Sequence, residues 1–274
     1  MRRDLDKAGV KVASEIEFTA ALAARTDLAP PPIIPHAAGE LVTVATADGV
    51  PGPRACVLFE WLRGSPLDRH VNVERWTGLG ELAATMHRAS RSFQPSPAFD
   101  AVTYRSVLAY GGPLLLFDRD RPDLLGLDGL LREATEVTNE RIATLMREQE
   151  HLVIHGDLHG ENVKVHRGSL TPLDFEDLLW AVPILDVATA MFYVRQRSDY
   201  IDLARAFRAG YERVLPWVES RPGQLDELLI ARGIDMLNFI ALDPGLHIPD
   251  LQAYVRLREV PARVAVGASA PAIL

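Results

Sequence analysis

Apolar positions recur along this chain with two different periods, and the period changes at identifiable breakers. Over residues 12–24 a helical spacing sets Val12, Ile16, Thr19, Ala20 and Ala23 on one face, with Ser14 or Glu15 near the start. Pro30, Pro31 and Pro32 cannot continue that helix, so an extended linker follows. Residues 41–47 and 54–62 are rich in Val, Thr and Leu and flank AspGlyValProGlyPro, a turn signal, which predicts an antiparallel pair. Helical spacing returns over 78–90, where Leu79, Leu82, Ala83, Met86 and His87 share a core-facing side and His87 reads as a packed or hydrogen-bonded core histidine. Residues 93–128 hold Pro, Gly and charge around a LeuLeuLeuPhe island and read as an insertion rather than a separate domain. Further helices are predicted over 130–150, from Pro183 to Arg195, and over 200–215, 225–242 and 251–264, with a frayed tail after them.

Between the helices at 130–150 and 183–195 the pattern becomes short-ranged. Residues 152–177 read LVIHGDLHGENVKVHRGSLTPLDFED: an apolar run, a polar loop with His155, Asp157 and Asn162, a short strand, a turn at Arg167-Gly168-Ser169, and a second strand that delivers Asp174. A hairpin of that form returns Asp174 beside the loop, so two carboxylates and an amide oxygen converge on one small volume. Such oxygen ligands suit Mg²⁺, which takes one or two carboxylates together with substrate phosphates. Two other readings compete. His155, Asp157 and His159 alternate along an extended segment and could ligate zinc, although zinc would leave Asn162 and Asp174 unexplained. The glycines and polar residues could also form an ordinary loop satisfying its own backbone.

Composition narrows the class. The chain has 274 residues, 48% of them hydrophobic, enough to bury a core in one large or two modest domains. A formal net charge of -8 argues against a general nucleic-acid binder and favours a cationic or neutral substrate. The single cysteine, Cys56, excludes an intramolecular disulfide framework. The first residues lack the apolar stretch of a signal peptide and no run approaches a membrane span, so the cytoplasm is the default compartment.

His155-x-Asp157-x-x-x-x-Asn162 followed by Asp174-Phe175-Glu176 resembles the catalytic and metal-binding motifs of the aminoglycoside phosphotransferase and choline/homoserine kinase group, relatives of the protein kinases. Gly156 stands where protein kinases carry Arg, and Glu176 replaces the Gly of D-F-G, which favours a small-molecule kinase. The resemblance implies an α/β (α+β), protein-kinase-like, two-lobed fold with a truncated small lobe and a mostly helical large lobe. It implies an ATP- and Mg²⁺-dependent phosphotransferase acting on a hydroxyl of a small molecule, aminoglycoside-, choline- or homoserine-like, with neither nucleic acid nor membrane as partner. Asp157 would accept the hydroxyl proton, His155 would support the loop, and Asn162 and Asp174 would hold the metal. Phe59, Glu60 and Leu62 resemble the hinge, with Phe59 as gatekeeper and the carbonyl of Glu60 and amide of Leu62 facing adenine. Asp186-Val187-Ala188 matches the motif whose Asp ties down the catalytic loop, a place where helix-dipole stabilisation alone would also favour a carboxylate. Asp177 would be a secondary metal or acceptor contact.

The resemblance divides the chain into a partial N-lobe and hinge over 1–62, a C-lobe over 63–266 with the 93–128 insertion over the substrate side, and a flexible tail over 267–274. Glu15 best matches the helix acid that pairs with a strand Lys or Arg, a partner expected about fifteen residues earlier, at or before Met1, with no phosphate-cradling glycine loop ahead of it. Arg2 and Arg3 lie near that place but out of register. The expectation is therefore a coding sequence that continues upstream and a 274-residue form of weakened activity. A catalytically silent pseudokinase or nucleotide-binding protein is the alternative. Asp226, Glu227, Asp235 and Asp243 would suit an amine-bearing acceptor, or would simply be solvated helix faces.

Overall fold

The computed structural model describes residues 2–50, 52–118, 124–242 and 255–267. Among the described residues there are eight strands: β1 (Thr43–Ala45), β2 (Arg54–Cys56), β3 (Ser65–Pro66), β4 (Val102–Thr103), β5 (Leu152–Ile154), β6 (Val163–His166), β7 (Ser169–Pro172) and β8 (Leu179–Ala181). The helices are α1 (Arg2–Arg25), α2 (Val73–Arg91), α3 (Asp128–Glu148), α4 (Ile184–Val194), α5 (Tyr200–Tyr211), α6 (Gln224–Leu242) and α7 (Glu259–Ala265). Two compact units result, Met1–Ala101 with Leu152–Trp217, and Val102–His151 with Val218–Leu274.

In the first unit, α1 is longer than the apolar spacing predicts, and its buried side is different. Ser14, Phe18, Thr19 and Leu22 face inward, whereas Ala20 and Ala23 are exposed. Phe18 decides the rotation: its ring meets Phe93 at 5.3 Å and Phe175 at 6.1 Å, and burying that area outweighs several alanines. After the helix, the proline segment is recruited rather than left as a linker. Ile34 donates to the Leu58 carbonyl and Glu60 to the Pro32 carbonyl, so residues 58–60 are held at their edge by 32–34. The predicted antiparallel pair exists in shortened form, with Val44 opposite Ala55.

Helix α2 is capped by Asn72, whose side chain accepts the Arg75 N–H at 2.9 Å, and it buries the predicted face from Leu79 to His87. It crosses α5 at two glycines. A Cβ on Gly80 would stand 2.0 Å from the Phe207 carbonyl oxygen, and one on Gly210 would stand 1.8 Å from that of Thr77. Helix α4 is buried along almost its whole length, with Pro183 at its entry. Strand β8, which the sequence reading did not predict, pairs with β5 so that Val153 faces Trp180.

The second unit contains α3, α6, α7 and a short 3-10 turn at Leu115–Phe117. Asn238 of α6 secures that turn by accepting the Leu116 N–H at 3.0 Å, and Asn139 of α3 accepts the Val107 N–H at 2.8 Å. The turn is the LeuLeuLeuPhe island of the predicted insertion. Of the helix predicted over 251–264, the described part is centred on Glu259–Ala265; its beginning, and the tail after Gly267, lie outside the described residues.

Candidate active site

Strand β5 ends at Ile154, and the next two amides are gathered by one carboxylate. Asp186, fully buried in the first turn of α4, accepts the His155 N–H at 3.1 Å through Oδ2 and the Gly156 N–H at 2.9 Å through Oδ1. Its Oδ2 also lies 3.0 Å from His87 Nε2, and His87 Nδ1 lies 2.8 Å from the Tyr211 hydroxyl. Burial raises the Tyr211 phenol, so it stays protonated beside Nδ1. The Asp186 carboxylate accepts, so His87 Nε2 carries the N–H that points at it. The predicted core histidine is thus one link in a buried chain that fixes the loop.

His155 is buried as well, at 1% exposure. Its Nε2 donates to the Leu173 carbonyl at 2.8 Å, its Nδ1 accepts the Asp157 N–H at 3.3 Å, and its ring lies 4.7 Å from that of Phe175. Both ring nitrogens are therefore spent on the loop and on the segment that carries Asp174. This removes the zinc reading, because His155 cannot join His159 around an ion. Among the described residues no three His, Cys, Asp or Glu side chains converge as a metal site.

Asp157 and Asn162 do come together. Asn162 Nδ2 donates to the Asp157 carbonyl at 3.0 Å and to its Oδ2 at 3.3 Å, and His159 Nε2 sits 3.2 Å from the same Oδ2. The hairpin then acts as the sequence predicts. Val163 pairs with Pro172 and His166 with Ser169 across a two-residue turn in which Arg167 and Gly168 both take positive φ, +50° and +88°. One step beyond the ladder, Leu173 donates to the Asn162 carbonyl at 2.9 Å, and Asp174 follows as the next residue. Asp174 has φ +60°, a left-handed conformation that Asp tolerates better than most residues, and it turns the chain sharply at this point.

Several carboxylates share this volume. Glu15 of α1 is pushed up to about 7 by burial first and then by Asp174 and Glu176, while a hydrogen bond from the Phe175 backbone works in the opposite direction. Glu176 is raised by burial and by Asp174, Asp177 and Asp157, with Lys11 opposing. The donors suit a hard divalent cation. Asn162 commits its nitrogen to Asp157 and keeps Oδ1 to accept, Asp174 adds a carboxylate one residue past the Leu173–Asn162 bond, and Lys11 opposes the acidic groups around Glu176. Arg2 and Arg3 belong to the first turn of α1, about 18 Å along the helix axis from Glu15.

A cavity of about 320 Å³ brings two of these groups, Glu15 and Asp174, together with the predicted hinge residues. Glu15, Asp174 and Phe175 line one part of it, and Phe59, Glu60 and Leu62 line another. All four predicted nucleotide residues therefore meet the predicted metal residue Asp174 in one cavity. Sequence reading missed Lys164, which also lines it: its Nζ donates to the Leu62 carbonyl at 2.8 Å and stands 4.3 Å from the centre of the exposed Trp61 ring. The signal was available, since Val163 and Val165 are the core positions of β6 and alternation puts Lys164 on the other face. Asp68 was missed too. Its carboxylate presses on the loop at Gly160, where a Cβ would stand 1.6 Å from Oδ1, and no local pattern announces that contact. Burial, and then Glu161, raise the Asp68 carboxyl, against His159.

The sequence profile of the phosphotransferase enzyme family, APH, matches residues 2–218. The chain belongs to this family. Similar solved structures carry the same fold at low identity. A microcompartment-associated aminopropanol kinase is 18% identical with TM-score 0.68 over 94% of this chain and 79% of that one. An amicoumacin kinase in complex with AMP-PNP, Ca²⁺ and Ami is 15% identical with TM-score 0.75 over 95% and 80%. The GDP complex of aminoglycoside 2'-phosphotransferase-IIIa is 15% identical with TM-score 0.58 over 94% and 82%. Comparison with curated protein sequences finds no match. The fold is thus the mixed α/β, two-lobed, protein-kinase-like fold with a mostly helical large lobe, as the motif resemblance implies. The general activity of the APH family, ATP-dependent phosphoryl transfer, comes with membership. Among the described residues no helix is long and apolar enough to cross a membrane.

The acids expected to greet an amine in the C-terminal helices are otherwise engaged. Glu227 lies 3.4 Å from Arg141 and also pairs with Arg221, and Asp235 lies 3.2 Å from Arg232. Asp226 is half-buried and raised by that burial. Asp243 lies outside the described residues.

Proposed function

We propose that this chain transfers the γ-phosphate of ATP, with Mg²⁺, to a hydroxyl group of a small, amine-bearing molecule. The observation that carries this reading is the meeting of Asp174, Glu15 and the hinge residues in one cavity, with the Asp157–Asn162 pair one hydrogen-bonded step away. Phosphoryl transfer needs positioning and charge stabilisation more than covalent chemistry, and a rigid loop serves both.

In this reading Asp157 orients the acceptor hydroxyl and takes its proton as the bond to phosphorus forms. His159 and Asn162 both hold its Oδ2, which fixes the orientation of the carboxylate. His155 braces the loop from behind and touches no reacting atom. Asn162 Oδ1 and Asp174 would hold Mg²⁺, which when bound offsets the charge of the phosphates. Asp186 positions the loop through its two amides. Phe59, Glu60 and Leu62 form the base end of the cavity, and Lys164 keeps the Leu62 carbonyl in place.

An amine on the acceptor is supported by the acidic groups beside Asp157. Glu176 and Asp177 extend the negative field outward from Asp174, and the His159 ring lies 4.4 Å from that of the partly exposed Tyr193, an aromatic wall suited to a cation. A panel of amino alcohols, choline-like quaternary amines and aminoglycosides, scored by ADP release, tests the assignment. Acceptor-dependent release confined to hydroxylated amines is the expected result, and equal release with neutral polyols would refute the acceptor class.

A further inference from the structure

A second cavity, of about 770 Å³, shares no lining residue with the nucleotide cavity. It is walled by the C-terminal end of α1, the outer face of α2, the turn of the β6–β7 hairpin at Gly168 and the segment just past α5. Three arginines line it, Arg25, Arg88 and Arg213, in a chain whose formal net charge is -8. The two carboxylates of the lining, Asp27 and Glu81, do not cancel them. Glu81 is matched to Arg213 at 3.4 Å, while Arg25 donates only to the Ala21 carbonyl of its own helix at 3.3 Å. Arg88 forms no ion pair or hydrogen bond among the described residues. Gly168 adds no side chain and leaves the floor open, with nothing within 4 Å of where a Cβ would stand.

Guanidinium forks such as those of Arg25 and Arg88, which make no ion pair among the described residues, are built for bidentate contact with phosphate or carboxylate oxygens. The volume falls within the range of about 300–1,000 Å³ typical of small-molecule sites, which is generous for one inorganic ion. We propose that this cleft is a second ligand site, for a small multiply charged phosphate compound held by Arg25, Arg88 and Arg213. Its walls give an occupant leverage on the first site. Helix α1 carries Glu15, α2 carries His87 with its bond to Asp186, and β7 leads straight to Asp174. A ligand that draws these three elements together acts on Glu15, Asp186 and Asp174.

The test is a calorimetric titration of the full chain with inorganic pyrophosphate, after the nucleotide cavity has been saturated with Mg²⁺ and AMP-PNP. One further binding event is expected, weakened at least tenfold in Arg88→Ala and lost in the Arg25→Glu, Arg88→Glu double variant. Both arginines are exposed, so an unchanged melting temperature confirms that the variants are folded. Absence of the event, or equal affinity in the double variant, overturns the proposal. The same titration on the nucleotide-free chain, compared with Arg88→Ala, reads the cleft even where AMP-PNP fails to bind, so failure of the nucleotide reading is distinguishable from failure of this one.

Discussion

Gly156 donates its backbone N–H to Asp186 Oδ1 at 2.9 Å, and that bond joins the loop after β5 to the most buried helix of its unit. The same carboxylate holds the neighbouring amide and faces His87, so one side chain satisfies three donors away from water. Asp186→Asn keeps the size but can serve only part of this set, and it turns an N–H₂ toward one of the donors. Turnover should fall by about 10²-fold through displacement of Asp157, with nucleotide affinity little changed. A steady-state split in which KM for ATP rises and kcat is constant would contradict the positioning role.

Glu15 gives the site a pH signature. Its carboxyl is raised from 4.5 to about 7 in the folded chain. Below pH 4.5 it is protonated folded or unfolded and contributes nothing; between 4.5 and 7 the folded state holds the proton more tightly; above 7 the full penalty of the buried charge is present. Stability from this group therefore falls as pH rises through that window. Glu15→Gln should raise the melting temperature at pH 8 by the equivalent of about 1 kcal/mol, a figure reduced for the solvent that still reaches the group. It should have no effect at pH 4. Melting curves at the two pH values check this, and a stabilisation of equal size at both would contradict it.

The crossing of α2 and α5 depends on the absence of two side chains. Gly210→Ala places a methyl group against the Thr77 carbonyl, in backbone that cannot yield without parting the helices. A loss of about 3 kcal/mol is expected, lowering the melting temperature by roughly 5–10 °C. Gly168→Ala, in contrast, meets no atom and is strained only by its positive φ, so it should cost about 1 kcal/mol. Equal melting temperatures for the two variants would show that the crossing can relax.

The metal assignment has its own variant. Asp174→Ala removes the carboxylate that partly neutralises the cation and should abolish the Mg²⁺ dependence of AMP-PNP binding, read by calorimetry with and without the ion. Retained Mg²⁺ dependence would move the metal to Glu176 or Asp177. Purified protein should hold no stoichiometric zinc, since His155 has no nitrogen to give.

The loop after β5 and the hairpin were legible because their geometry is local: a two-residue turn sets the register of β6 on β7, and that register returns Leu173, the residue before Asp174, to Asn162. The face of α2 was legible for the same reason of short period. The face of α1 was not, because alanines at 20 and 23 mimic an apolar stripe, while burial of Phe18 against Phe93 and Phe175 is a tertiary matter. Pairing of the proline segment with residues 58–60 was equally hidden. Proline lacks an N–H, but the Pro32 carbonyl still accepts, and Ile34 supplies the donor. Asp68 against Gly160 joins positions far apart in sequence with no motif to link them. The acids of α6 looked available because their arginine partners include Arg141, which lies on another helix.

The central claim is that this constellation moves a phosphoryl group and that Asp157 is its base. The most direct measurement is acceptor-dependent ADP release by the chain and by Asp157→Asn, alongside AMP-PNP affinity for both. Release by the unaltered chain, a fall of about 10² to 10⁴ in the variant, and equal AMP-PNP affinity are the predicted results. Undiminished transfer by Asp157→Asn, or AMP-PNP binding without turnover on any hydroxylated amine, would contradict the claim and leave a nucleotide-binding protein that performs no chemistry.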